Sequence, residues 1–101
     1  MINIERWNKF TLHQKLGNIA SEIARARLWE EKKDKAARNM ALERVLEMIN
    51  STLDNEIPAS GKKELIKTKE IIGCWSTDSN DIEYSPKLLE DYFTSFAYLA
   101  S

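Results

Sequence analysis

Within these 101 residues the side chains able to bind or ionise are densest in RARLWEEKKDKAARN, residues 25–39, where six basic and three acidic groups surround one tryptophan. Arg25, Arg27, Trp29 and Arg38 are the candidate partner-binding residues, because exposed tryptophan beside arginine is frequent hot-spot chemistry at interfaces. The competing expectation is a solvated helix end, in which Arg25, Arg27, Arg38 and Glu43 form ion pairs along a hairpin seam.

Other chemistry-bearing residues are scattered. His13 is the only histidine and Cys74 the only cysteine, so neither a metal-ligand spacing nor an internal disulfide is available. Glu43, Glu47 and Asp54 share a helix face, but carboxylate-bridged metal bundles also need a Glu-x-x-His motif, which is missing. No glycine-rich phosphate loop, nucleophile elbow or HExxH pattern occurs. The expectation is therefore no catalytic residue, no metal and no cofactor. Lys62, Lys63, Lys67 and Lys69 in GKKELIKTK surround one helix, a pattern that solubilises more often than it binds phosphate.

Composition narrows the function classes further. The net charge of −1 does not favour a protein governed by attraction to nucleic acid, which stays possible but is not expected. The charge is nevertheless uneven: +3 over residues 25–39, +3 over residues 61–69 and −4 over residues 76–101. No apolar run approaches the roughly 18 residues of a membrane span, and MINIERWNKF lacks the flanks of a signal peptide, so cytoplasmic residence is expected.

Positioning these residues requires helices, since three glycines and two prolines leave few breaks. Thr11 and Gln14 have capping-box spacing, which starts a helix at Leu12. Leu12, Leu16, Ile19, Ile23 and Ala26 then mark one face. Ala41, Leu42, Val45, Leu46, Ile49 and Leu53 mark a second face, rotated by about 100° if the helix were unbroken. The phase slip falls among the charges, and Asp34 is a suitable N-cap, so two helices joined near residues 32–35 are predicted. Ser60 is the expected cap of a third helix, buried through Leu65, Thr68, Ile72 and Trp75. Ser85-Pro86 opens a fourth, with a stripe of Leu88, Leu89, Tyr92, Phe93, Phe96 and Leu99. Ile4, Trp7 and Phe10 form a short apolar turn across the bundle end, and Cys74 is expected as a small buried hydrophobe.

The expected fold is one all-α domain, an antiparallel four-helix bundle with helices near 12–31, 35–54, 61–75 and 86–100. A hairpin about residue 33 brings Glu22 beside Arg44. Trp29 points about 100° from the first helix's apolar centre.

LGNIASEIARARLWEEKKD, ARNMALERVLEMINSTLD and SPKLLEDYFTSFAYLA together resemble a family of short prokaryotic all-helical proteins to which no activity attaches. A looser resemblance is to HEPN-type four-helix proteins, which implies an RNase or the helical partner of a nucleotidyltransferase. In that family an arginine and a histidine four to six residues apart on one helix do the chemistry. Arg6 and His13 have six residues between them here, with the predicted helix start at Thr11 inside the pair. The reading taken forward is a non-catalytic interaction module, acting through a protein partner or as a homo-oligomer.

Overall fold

Thr11 begins the first long helix by satisfying an amide that a helix start leaves without a partner. Its Oγ1 accepts from the Gln14 amide at 3.2 Å, while its own amide donates to Gln14 Oε1 at 2.8 Å. The computed structural model describes residues 3–99, with side chains described as far as Ser95. Within them the chain forms α1 (Ile4–Asn8), α2 (Leu12–Glu31), α3 (Lys35–Leu53), α4 (Ala59–Ser76) and α5 (Pro86–Leu99), and no strand.

The break between α2 and α3 lies where the apolar phase slips. Lys33 takes a left-handed conformation, φ 60°, with the Lys33 amide donating to Glu30 O and the Asp34 amide to Trp29 O, both at 2.9 Å. These two bonds are a Schellman motif, a helix stop that usually uses glycine. Asp34 then caps α3 by accepting from the Ala37 amide at 3.0 Å. At α5 the Leu88 amide donates to Ser85 Oγ at 3.3 Å, with Pro86 as first helical residue. The α4 start differs from expectation. Pro58, not Ser60, occupies the N-cap position, and its carbonyl accepts from the Lys62 amide, so Ser60 already lies inside the first turn.

Contacts along the helices fix the arrangement. α2 packs on both α3 and α5, and α3 packs on α4. Arg27 near the end of α2 meets Glu90 near the start of α5, and Arg38 near the start of α3 meets Ser76 at the end of α4. Each packed neighbour is therefore antiparallel, and the molecule is an all-α antiparallel bundle. Ile19, Ile23, Val45, Ile49 and Ile72 are fully buried at its centre, joined by Leu65, Trp75, Leu89 and Phe93. The four predicted buried positions of α4 are all buried. Trp7 is buried, with its ring edge-to-face on Phe10 at 5.9 Å, whereas Ile4 is half exposed.

Three placements correct the sequence reading. Leu88 and Tyr92 face solvent, so only Leu89 and Phe93 of the described α5 stripe enter the core; Phe96 and Leu99 have side chains outside the described residues. Cys74 is partly exposed instead of buried. Arg38, expected on the surface, is 1% exposed.

Candidate functional site

The charged stretch does not converge on one surface. Arg25 and Trp29 are four apart on the outer face of α2, with Arg25 exposed, Trp29 half-buried and Lys32 Nζ 5.4 Å from the indole centre. Arg25 donates to Glu22 Oε1 at 2.6 Å, and Arg44 binds the other oxygen of the same buried carboxylate at 3.0 Å, as the hairpin register requires. Arg27 turns to α5 and pairs with Glu90.

Arg38 lies inward, between α2, α3 and the end of α4. Its Nη1 donates to Glu30 Oε1 and to Asp78 Oδ1, each at 2.8 Å. Its Nε donates to Asn39 Oδ1 at 3.0 Å, and Nη2 reaches the Ser76 carbonyl at 3.3 Å. Trp75 Nε1 donates to the second Glu30 oxygen at 2.9 Å, and Lys35 Nζ sits 3.1 Å from Asp78 Oδ2. Hydrogen bonds from Arg38, and then from Lys35, lower the Asp78 carboxyl to a pKa of about 2. The same pairing, with Asp78 foremost, raises the Arg38 pKa against the opposing cost of its burial. A cleft of about 570 Å³ opens beside this network, lined by Glu30, Trp75, Asp78, Glu83 and Tyr84. Burial, followed by the charge of Glu30, raises the Tyr84 pKa there. Glu30 and Asp78 are already held by Arg38, Lys35 and Trp75, so the network locks three helix ends together. Glu30 and Asp78 are the partners that sequence reasoning missed. Asp78 lies 40 residues from Arg38 in a polar loop, and no local signal marks it.

A different surface remains apolar. Among the described residues α4 and α5 touch little, and a groove follows their seam. At one end a cavity of about 240 Å³ is walled by Leu12, Leu16, Ile57, Leu65 and Phe93. Further along, a cleft of about 270 Å³ is lined by Lys67, Ile71, Glu83, Tyr84 and Leu88. Glu64 and Tyr92 border both. Leu88 is 69% exposed and Tyr92 39%. Partial burial, then the charge of Glu64, raises the Tyr92 hydroxyl pKa. A sequence signal for this surface did exist. Leu88-Leu89 and Tyr92-Phe93 are adjacent pairs, and neighbours on a helix diverge by about 100°, so one member of each pair lies off the core face.

The remaining candidates stay apart. Arg6 is exposed on α1 and His13 half-buried on α2, on separate helices on either side of the Thr11 cap. Among the described residues no group of three His, Cys, Asp or Glu side chains is placed to hold a metal ion. No helix there is long and apolar enough to cross a membrane. Compared with protein families, with curated proteins and with solved structures, the chain matches none.

Proposed function

We propose that the protein is a small cytoplasmic interaction module that works by binding an apolar helical segment of another polypeptide in the α4–α5 groove, without chemistry of its own. The observation that carries this reading is the exposure of Leu88 and Tyr92 beside two neighbouring depressions, the first walled mainly by apolar side chains. Helical partners dock into such grooves through large apolar side chains at spacings of three and four. A pocket of about 240 Å³ suits one such anchor, since a cavity of about 150 Å³ already admits a benzene ring. Within the tip, Arg25 is exposed and Trp29 half-buried, whereas Arg27 and Arg38 are engaged by Glu90 and by Glu30 and Asp78. On this reading the partner binds at the groove, and Arg25 and Trp29 form the competing surface.

A photo-crosslinking amino acid at position 88, in the groove, or at position 28, at the tip, tests the reading in cells. The expected result is one discrete polypeptide adduct from position 88, identified by mass spectrometry, and none from position 28. Adducts from position 28 alone would move the interface to the tip. No adduct from either would sink the interaction reading. Adducts to RNA would favour the HEPN-like alternative, whose binding would also weaken steeply with salt.

A further inference from the structure

We infer that α1 is a latch, a strap anchored to the bundle by Trp7 alone, which undocks and redocks as a unit about Lys9–Thr11 while the long helices stay folded. Across residues 3–9 only Trp7 is buried; the other side chains are exposed, Ile4 at 50% among them. Among the described residues none of the principal helix pairings includes α1. Its one polar link to another element there is long, Asn55 Nδ2 donating to Asn8 Oδ1 at 3.4 Å. Its backbone bonds close within the segment. The Trp7 amide donates to Asn3 O, the Lys9 amide to Arg6 O and the Phe10 amide to Trp7 O, while the Arg6 amide donates to Asn3 Oδ1. Undocking therefore breaks no backbone hydrogen bond to the rest of the molecule, and it leaves the Thr11–Gln14 capping box in place.

Opposing effects act on the anchor. A buried indole withdraws about 150–250 Å² from water, and Phe10, half-buried in the hinge, meets the Trp7 ring edge-on at 5.9 Å. These contacts make the docked state the major one. Against it, Trp7 Nε1 is buried without an acceptor, the one side-chain nitrogen or oxygen so placed among the described residues. A donor left unpaired keeps the full penalty of losing water. Trp75 provides the contrast, since its Nε1 is equally withdrawn but donates to Glu30 at 2.9 Å. Undocking returns the Trp7 N–H to water and frees the backbone of a five-residue helix that is too short to hold itself.

The latch lies at the end of the bundle opposite Arg38. Asn55 follows the end of α3, whereas Arg38 is in its first turn. The hinge leads directly into Leu12, which walls the cavity of about 240 Å³. Undocking uncovers the indole-sized apolar socket that Trp7 fills. The segment belongs to the least stable part of the fold, and Trp75, locked between helix ends, to the most stable.

Deuterium exchange of the indole N–H protons, followed by NMR in the intact chain, tests the latch. Trp7→Phe and Trp29→Phe assign the signals. The Trp7 proton is expected to exchange about 100-fold faster than that of Trp75, yet at least about 10-fold slower than an indole of the unfolded chain. Urea below the unfolding transition is expected to leave the Trp7 rate nearly unchanged and to accelerate Trp75, because undocking exposes little surface and global unfolding exposes much. Trp7→Ala removes the anchor. Protection of Trp75 is then expected to fall by the factor that protects Trp7 in the wild type and no further, with helix content retained by circular dichroism. A Trp7 proton that matches Trp75 in rate and urea dependence overturns the inference, because the indole then leaves only when the whole chain unfolds. A Trp7 proton without protection overturns it too, because α1 is then not docked. A loss of Trp75 protection well beyond that factor in Trp7→Ala does the same, since Trp7 would then support the long helices themselves.

Discussion

Arg38 Nη1 donates to Asp78 Oδ1 at 2.8 Å across 40 residues of sequence, and Asp78 holds the left-handed conformation, φ 55°, that ends α4. The Asp78 amide donates to Trp75 O and the Ser79 amide to Cys74 O, the same bond pattern that ends α2 at Lys33. Two helix stops without glycine thus lie at one end of the bundle, and the arginine between them holds Glu30 of α2 together with Asp78. Removing Arg38 leaves Glu30, Asp78 and the Ser76 carbonyl short of a donor. Arg38→Met is expected to lower stability by about 2–3 kcal/mol in urea unfolding, below the cost of breaking a fully buried pair because both carboxylates can rehydrate. Arg38→Lys should recover only part of the loss, since one ammonium group cannot reach four acceptors at once.

Acid should weaken the same joint. The Asp78 carboxyl is lowered from 3.8 to about 2 by hydrogen bonds from Arg38 first and Lys35 second. A depressed folded-state pKa means that the unfolded chain takes up the proton more readily. The stabilising contribution is complete above about pH 4 and is lost as the pH falls toward 2. Urea midpoints compared at pH 5 and pH 2.5 are expected to fall further for the wild type than for Asp78→Asn, which lacks the titrating group. Equal falls in the two proteins would show that other carboxylates set the acid limb.

Glycine at the two helix stops should act with opposite signs. Lys33 is exposed, and its left-handed backbone costs an L-residue about 1–2 kcal/mol that glycine avoids. Part of that gain is offset by the greater freedom of glycine in the unfolded chain. Lys33→Gly is expected to raise stability by about 0.5–1 kcal/mol. Asp78→Gly relieves the same backbone but removes the acceptor of Arg38 and Lys35, so its unfolding midpoint is expected to drop. Thermal unfolding of the pair provides the comparison.

These stops mark how far the sequence could be read. The starts of α2 and α5 were legible because they are local, the Thr11–Gln14 box and the Ser85-Pro86 pair carrying their hydrogen-bond partners within three residues. The start of α4, at Pro58 without a side-chain cap, was misread at Ser60. The α2–α3 break was legible through the phase slip between Ala26 and Ala41 and the capping residue Asp34, but not through Lys33, which is not a residue type that announces a left-handed turn. The pairing of Glu22 with Arg44 followed from hairpin register. Arg38 was misplaced because its burial depends on Asp78 and Trp75, which only the folded chain brings to it. The groove was missed because each apolar residue of α5 was assigned to the core, although two adjacent pairs span too wide an arc for one buried face.

That arc yields the sharpest test of which α5 residues serve the fold. Leu89 is 9% exposed and sits in the core with Phe93, whereas its neighbour Leu88 is 69% exposed at the groove. Truncating the buried leucine removes apolar contacts and leaves a void that the packed helices close only in part. Leu89→Ala is therefore expected to cost about 2–4 kcal/mol. Truncating the exposed one removes little burial, so Leu88→Ala should stay within about 0.5 kcal/mol of the wild type. Chemical denaturation of the two variants side by side reads the difference. A large loss from Leu88→Ala would mean that the side chain closes against α4 in the folded protein, and the open groove on which partner binding depends would not exist. A small loss there with a large one from Leu89→Ala would leave Leu88 with no stabilising task inside the chain, as expected of a residue kept for contact with another molecule.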